Sequence, residues 1–301
     1  MEIREVRHLL TYNCVLRCSH CYLSAGEHPE VRTNIFTEEQ ADEFYGSIRP
    51  ESVSATGGEP LVYPDLVRIL ARSTAKIGCA LELVTSGLLL KKGLIKELNN
   101  LNDKTFYQIS LDGTEEFHDH LRGKKGAYRK AMNAIKLCSE SGRITKARMS
   151  VMPGNYNQIP EVIKTLDSFQ RDNIQLVLRA ALDAGRAHTN KLSFGSDYVQ
   201  KLRQFIPLAK SIKVSVTDRC GYCLDSLTID PKGDIYPCCY FVFNPEYKMG
   251  HMSDPKNLQT QPDFVNYTGK CFAVEKFSSL TPTTSKCKSC TTHELLKPGK
   301  R

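Results

Sequence analysis

Short apolar runs alternate with longer stretches of helical period along the first two-thirds of the chain. The run "VRHLLTY" (6–12) predicts a strand. Thr37 and Gln40 then form a T-x-x-Q capping box ahead of Ala41, Phe44 and Tyr45, which predicts a helix start. "SVSAT" (52–56) predicts a second strand, and Pro64–Asp65 open a helix with Leu66, Val67, Ile69 and Leu70 on its apolar face. The alternation continues with "LELVT" (81–85) before a helix near 91–100, and "FYQISL" (106–111) before one near 126–141 that Gly142 ends. "ARMSVM" (147–152) precedes a helix near 159–169, and "IQLVLRA" (174–180) precedes one near 196–209. Six β/α units of this kind predict a parallel sheet covered by helices, either open and doubly wound or closed towards a barrel. In both, reactive groups belong at the C-terminal ends of the strands.

The pattern changes after residue 210. "SLTIDPKGDIYPC" alternates polar and apolar positions around D-P-K-G turn chemistry, which predicts a hairpin. Seven of the chain's 12 cysteines lie from Cys220 onward. Residues 1–210 are therefore expected to form one domain and 211–301 a smaller, metal-dependent one. The N-terminus "MEIREVRHLL" has no apolar segment of signal-peptide type, and no run reaches the length of a membrane span. With 301 residues and cysteines in metal-like spacings, thiolate-bound metal in a reducing cytoplasm fits better than a disulfide framework. The net charge of +8 (41 − 33) describes a mildly basic surface. It suits an acidic peptide, whereas nucleic acid is not expected, since no basic motif with interleaved aromatics is present.

Three cysteines crowd into the loop after the first strand: Cys14, Cys18 and Cys21, spaced C-x-x-x-C-x-x-C. A structural zinc site closes with four ligands, usually in two pairs. A lone triplet at a strand end instead leaves an iron–sulfur cubane one iron short of a protein ligand. "CVLRCSHC" resembles the CxxxCxΦC loop of the radical S-adenosylmethionine (SAM) superfamily, with His20 at the variable position near the adenine. "TGGEP" (56–60) resembles that superfamily's GGE motif, which places Gly57, Gly58, Glu59 and Pro60 near the methionine amino group. The resemblance implies a partial (β/α)6 TIM-like barrel. It also implies a [4Fe-4S] cluster whose open iron binds SAM, and a 5′-deoxyadenosyl radical that takes a hydrogen atom from substrate. A flavodoxin- or ferredoxin-type reductant would supply the electron. "SLDGTEEFHDHLRG" (110–123) resembles the strand-four segment of the peptide-modifying members, with Ser110, Asp112 and Arg122 as candidates for SAM ribose or carboxylate contacts. "TSG" (85–87) stands where relatives carry T-N-G, so Ser86 puts a side-chain contact there in doubt, and "AGRA" (184–187) resembles a segment after strand six.

"CLDSLTIDPKGDIYPC" (223–238) fits C-x9-G-x4-C and resembles the opening of a SPASM domain. With "CKSC" (287–290) and no later cysteine, the region resembles the shortened twitch form, which holds one auxiliary [4Fe-4S] cluster. Its expected ligands are Cys238, Cys287 and Cys290 with Cys220 or Cys223, while Cys79 and Cys138 read as core residues. A thiol left over there, Cys223 or Cys239, is a candidate hydrogen-atom donor, as in the superfamily's peptide epimerases. Sulfatase-maturing relatives carry an Asp where Cys239 stands, which argues against that activity. The leading expectation is a maturase that epimerises or cross-links a ribosomally made peptide. No separate leader-binding module is expected ahead of the first strand, so recognition of the peptide would need a partner protein or the barrel itself. The alternatives are a radical SAM dehydrogenase or cyclase of a small molecule, and a non-enzymatic cluster scaffold.

Overall fold

Each apolar run becomes a strand because its alternate residues meet a helix. The computed structural model describes residues 3–27, 36–182, 184–192, 201–217 and 225–259. Among them, β1 (Glu5–Thr11), β2 (Ser52–Gly57), β3 (Ala80–Thr85), β4 (Phe106–Ser110), β5 (Thr145–Val151), β6 (Ile174–Ala180) and β7 (Lys213–Val216) pair in chain order, all parallel. The connecting helices are α1 (Glu38–Ile48), α2 (Pro64–Lys76), α3 (Lys92–Leu101), α4 (Glu115–Arg122), α5 (Ala127–Glu140) and α6 (Ile159–Asp167), with the short α7 (Gly185–Thr189) after β6. Thr37 and Gln40 form the reciprocal capping box at the start of α1, as the sequence predicts. Helix α4 was not anticipated, because the polar "TEEFHDHLR" hides its apolar positions. Where a helix was expected near 196–209, residues 203–208 form a 3-10 turn around Pro207, and 193–200 lie outside the described residues.

The hairpin is present as β8 (Ser226–Ile229) and β9 (Asp234–Tyr236), extended by β10 (Gly250–His251). It does not stand apart from the barrel strands: β8 pairs in parallel with β1, giving the order β10-β9-β8-β1-β2-β3-β4-β5-β6-β7. One sheet thus continues across residue 210 in both directions.

Two faces follow from the period of two. Val6, Leu10, Val53, Ala55, Leu81, Leu83, Tyr107, Ile109, Ala147, Met149, Leu176 and Leu178 pack in the core with helix residues such as Phe44, Leu70, Leu98 and Ile135. His8 is on this side, its Nδ1 2.8 Å from the Tyr45 hydroxyl and its ring stacked on Phe36; burial drives its pKa down to about 3, so it is neutral. Cys79 and Cys138 are buried in the same core. The intervening positions face the concave side and are polar. There Ser54 Oγ donates to Glu82 Oε2 (2.7 Å), Lys146 Nζ donates to Glu82 Oε1 (2.9 Å), and Arg148 Nη1 reaches Gln108 Oε1 (3.4 Å).

Candidate active site

The cysteine loop is fastened at both ends by backbone. Behind β1, the Gly58 N–H donates to Thr11 O (2.7 Å) and the Glu59 N–H to Asn13 O (2.8 Å). This approach requires glycine: a Cβ on Gly57 would overlap Thr11 O, and one on Gly58 would overlap Asn13 O. Gly57 also has φ +126°, which disfavours any side chain. On the other side, Arg186 of α7 donates from Nε to Cys18 O (2.8 Å) and from Nη1 to Ala25 O (3.2 Å), while its own N–H donates to Cys21 O (3.0 Å). Asn190 Nδ2 donates to Ser19 O (2.8 Å), and the Ser19 N–H to Leu121 O (2.9 Å). Three segments remote in sequence, Gly58–Glu59, Leu121 and Arg186–Asn190, thus fix one loop.

Within it the three thiols influence one another: Cys18 and Cys21 raise the pKa of Cys14, and Cys21 that of Cys18. Burial pushes Cys14 up to about 12, against a hydrogen bond that Leu16 N–H donates to its Sγ (3.4 Å). Ala25 N–H donates to Cys21 Sγ at 3.4 Å. Among the described residues, no group of three His, Cys, Asp or Glu side chains could hold a single metal ion. A soft donor set of three electrostatically interacting thiols in one loop, beside a glycine cradle with no room for a Cβ, fits a cluster with one open iron.

Two carboxylates organise the strand ends around this loop. Glu59, 1% exposed, accepts on Oε1 from Thr85 Oγ1 (2.6 Å) and Leu61 N–H (3.2 Å), and on Oε2 from Ser86 Oγ (2.5 Å) and Ser86 N–H (3.0 Å). Ser86 therefore does make a side-chain contact, directed at Glu59. Pro60 is buried and opens the 3-10 turn 60–62. Asp112, fully buried, accepts from Arg122 Nε (2.8 Å) and Nη2 (2.5 Å) on Oδ2, and from Ser150 N–H (2.9 Å) on Oδ1. Burial opposes its ionisation, but Arg122, His20 and His118 outweigh that and hold its pKa down to about 2. Arg122 extends Nη1 to Cys18 Sγ (3.9 Å), and His20 Nε2 lies 3.5 Å from Asp112 Oδ2. The His20 Nδ1 is buried and makes no hydrogen bond. Ser110 ends β4, half-buried, in register with Arg148. The motif residues from the ends of β1, β2, β3 and β4 therefore converge on one site.

Residues 9–166 match the Radical SAM superfamily. The chain belongs to that superfamily. Residues 220–291 match SPASM, an iron–sulfur cluster-binding domain. The radical SAM domain brings a [4Fe-4S] cluster with SAM, and the SPASM match brings auxiliary iron–sulfur binding. Among curated relatives, the chain is 26% identical over 260 residues to the antilisterial bacteriocin subtilosin biosynthesis protein AlbA of Bacillus subtilis, covering 81% of this chain and 56% of AlbA. It is 29% identical over 160 residues to Fe-coproporphyrin III synthase of Methanosarcina barkeri, covering 52% of this chain and 39% of that protein. The chain thus spans roughly half the length of these relatives or less. In structure it resembles Streptococcus suis SuiB bound to S-adenosylmethionine, with a TM-score of 0.76 at 15% identity over 97% of this chain and 77% of SuiB. That likeness establishes the partial-barrel fold.

Of the expected auxiliary ligands, Cys238 is described. It follows β9, fully buried beside Leu9, Tyr12 and Leu23, next to Cys21 and Tyr22 of the radical SAM loop. Cys239 packs in the same cluster and, with Tyr22, Gly185 and Phe243, lines a pocket of about 210 Å³. Cys220, Cys223, Cys287 and Cys290 lie outside the described residues. Among the described residues, no helix is long and apolar enough to cross a membrane. The sequence reading did not single out Thr85, Arg186, His118 and Asn155. His118 Nδ1 accepts from the Asp112 N–H (3.1 Å), and Asn155 Nδ2 donates to Asp112 O (2.8 Å). Thr85, His118 and Arg186 lie within the quoted "TSG", "SLDGTEEFHDHLRG" and "AGRA", while Asn155 lies in none of these segments.

Proposed function

We propose that this protein is a radical SAM maturase that abstracts a hydrogen atom from a ribosomally synthesised peptide, leading to epimerisation or to a thioether or carbon–carbon cross-link. What carries the reading is the single network that ties Cys14–Cys21, Gly57–Glu59, Ser86 and Asp112–Arg122 together beneath one loop. A cluster on Cys14, Cys18 and Cys21 would supply the electron that splits SAM into methionine and a 5′-deoxyadenosyl radical. The chain's residues then do the positioning. Gly57 and Gly58 leave their backbone open to the SAM amino group, and Glu59 holds that segment in place. Arg122, anchored by Asp112, sets positive charge beside the Cys18 thiolate, and His20 borders the adenine. Burial keeps water from the site.

Residues 211–301 are proposed as the auxiliary unit, with one cluster on Cys238, Cys287, Cys290 and Cys220 or Cys223. Of the two proposed hydrogen-atom donors, Cys239 packs beside Tyr22, and Cys223 lies outside the described residues. A flavodoxin- or ferredoxin-type reductant, a leader-binding partner and a cytoplasmic setting complete the proposal. The names of AlbA and of the complex of SuiB with its precursor peptide SuiA support a peptide substrate. The name Fe-coproporphyrin III synthase supports a second reading, chemistry on a small molecule.

The test is anaerobic incubation of reconstituted protein with dithionite and SAM. 5′-Deoxyadenosine should form, and the triple Cys14→Ala/Cys18→Ala/Cys21→Ala variant should form none while keeping iron in the auxiliary site. No product from the parent protein refutes the radical reading. Short peptides encoded beside the gene are then screened in deuterated water by mass spectrometry, and turnover of a tetrapyrrole or sugar instead of any peptide refutes the maturase. Loss of deuterium uptake in Cys239→Ala, with 5′-deoxyadenosine still formed, is the outcome expected of a donor.

A further inference from the structure

Two guanidinium groups converge on Cys18. Arg122 turns its Nε and Nη2 edge to Asp112 and extends Nη1 to Cys18 Sγ (3.9 Å). Arg186 reaches the same residue from α7. Its Nε donates to Cys18 O (2.8 Å), and its Nη1 to Ala25 O (3.2 Å) and to Glu27 Oε1 (2.9 Å). A guanidinium carries five N–H donors. Nε uses one here and Nη1 uses two. The remaining two, on Nη2, are buried and make no hydrogen bond. A buried donor left without an acceptor bears the full cost of its lost hydration, so such a group in a native fold calls for a partner.

The planarity of the group fixes where Nη2 points. One of its N–H bonds runs parallel to the Nε–H on the same edge, and that edge is turned to Cys18. The carbonyl oxygen and the sulfur of a cysteine are each two bonds from one Cα, so the edge faces the residue that carries the thiol. The Arg186 charge favours the Cys18 thiolate, as the Arg122 charge does. The Arg186 side chain is 13% exposed, so solvent screens that charge little. Its counter-ion Glu27 is 35% exposed and is shared with Arg17 at 2.8 Å. The backbone N–H of Arg186 holds Cys21 O (3.0 Å), which locks the guanidinium to the loop at a second cysteine.

We propose that Arg186 is a positioning residue for the iron–sulfur cluster: its Nη2 donates to a sulfur of the cluster carried by Cys14, Cys18 and Cys21, and so raises the potential at which that cluster accepts its electron. Reduction adds one negative charge to the cluster. A hydrogen bond to its sulfur and a nearby cation both stabilise the reduced form more than the oxidised one. Glu27 opposes this by neutralising part of the Arg186 charge. The inference rests on membership of the radical SAM superfamily and on this loop, and holds whatever the substrate is.

Redox titration of the full, anaerobically reconstituted chain without SAM, read by electron paramagnetic resonance, tests this. Dithionite gives one electron to each [4Fe-4S] cluster, and the signal that shifts when SAM is added to a parallel sample marks the cluster of the three-cysteine loop. Arg186→Gln should lower the ratio of reduced to oxidised cluster at a fixed potential about tenfold, which is about 59 mV for one electron. Arg186→Lys keeps the charge without the planar fork and should fall between Gln and the parent. Glu27→Gln removes the counter-charge and should move the ratio the other way, up by about two- to threefold. In an Arg186→Gln background the Glu27 change should do nothing. Iron and sulfide content put all ratios on the loaded fraction. An unchanged ratio in Arg186→Gln, a Lys variant equal to the parent, or a Glu27 effect that persists without Arg186 overturns the proposal. If Arg186→Gln holds no cluster, Glu27→Gln decides, and no rise overturns it. Weaker SAM binding by Arg186→Gln at an unchanged potential also overturns it, because Nη2 would then serve SAM. Formation of 5′-deoxyadenosine on the same preparations reports separately on the radical chemistry.

Discussion

Replacing Glu59 by Gln changes one atom and should cost more than its size suggests. Both carboxylate oxygens accept two hydrogen bonds, each from one hydroxyl and one backbone N–H. An amide keeps one oxygen and puts an NH2 at the other position. The Thr85 or Ser86 hydroxyl can turn to accept from that NH2, but a backbone N–H cannot. Whichever way the amide is set, one buried N–H faces a donor. The cheaper orientation turns the NH2 towards Leu61, whose contact is the longer at 3.2 Å against 3.0 Å for Ser86. A stranded buried donor costs about 1–3 kcal/mol, so Glu59→Gln should lose about 2 kcal/mol, or roughly 4 °C in Tm. Glu59→Ala strands both N–H groups and opens a cavity, at roughly 3–5 kcal/mol. Ser86→Ala removes the 2.5 Å hydroxyl bond to a charged acceptor, about 1.5–3 kcal/mol in the parent and much less in a Glu59→Gln background. Anaerobic urea unfolding of the four proteins, without SAM, measures the cycle. If Glu59→Gln is within about 0.5 kcal/mol of the parent, or if the Ser86 and Glu59 losses simply add, the carboxylate is not the acceptor of these donors and the argument fails.

Two further outcomes follow from the geometry. Asp230, 2% exposed, has its pKa raised from 3.8 to about 6, chiefly by burial with Asp234 adding, although the Lys232 and Asp234 N–H groups donate to it. The folded state therefore holds a proton that the unfolded chain gives up near 3.8. Its contribution to stability is greatest below that pH, is lost as pH rises to about 6, and is flat beyond. Asp230→Asn keeps the acceptor oxygen, so it should remove this slope and raise stability at pH 7 to 8 by at most about 3 kcal/mol, read from urea unfolding from about pH 4 to 8; an unchanged slope between about pH 4 and 6 rejects the assignment. Gly185 has φ +54°, and a Cβ on it would overlap Tyr22 O. Gly185→Ala should therefore push α7 away from the cysteine loop and lower iron bound per chain at the three-cysteine site, measured with the auxiliary cysteines replaced; full loading would show that the loop does not depend on this contact.

What the sequence disclosed and what it withheld divide along a physical line. Strands β1 to β6 and the capping box of α1 are local matters, written in periods of two and in the T-x-x-Q spacing, so they could be read directly. The cysteine triplet and "GGEP" were legible because their chemistry depends on spacing within a few residues. Arg186, Thr85 and Asn155 act across separations of 168, 26 and 43 residues, and although "AGRA" and "TSG" include the first two, no short-range pattern names partners so distant. The pairing of β8 with β1 is of the same kind. The hairpin was visible, but parallel pairing to a strand over two hundred residues earlier carries no turn signature. That pairing brings Cys238 and Cys239 beside Tyr22 and the radical SAM loop.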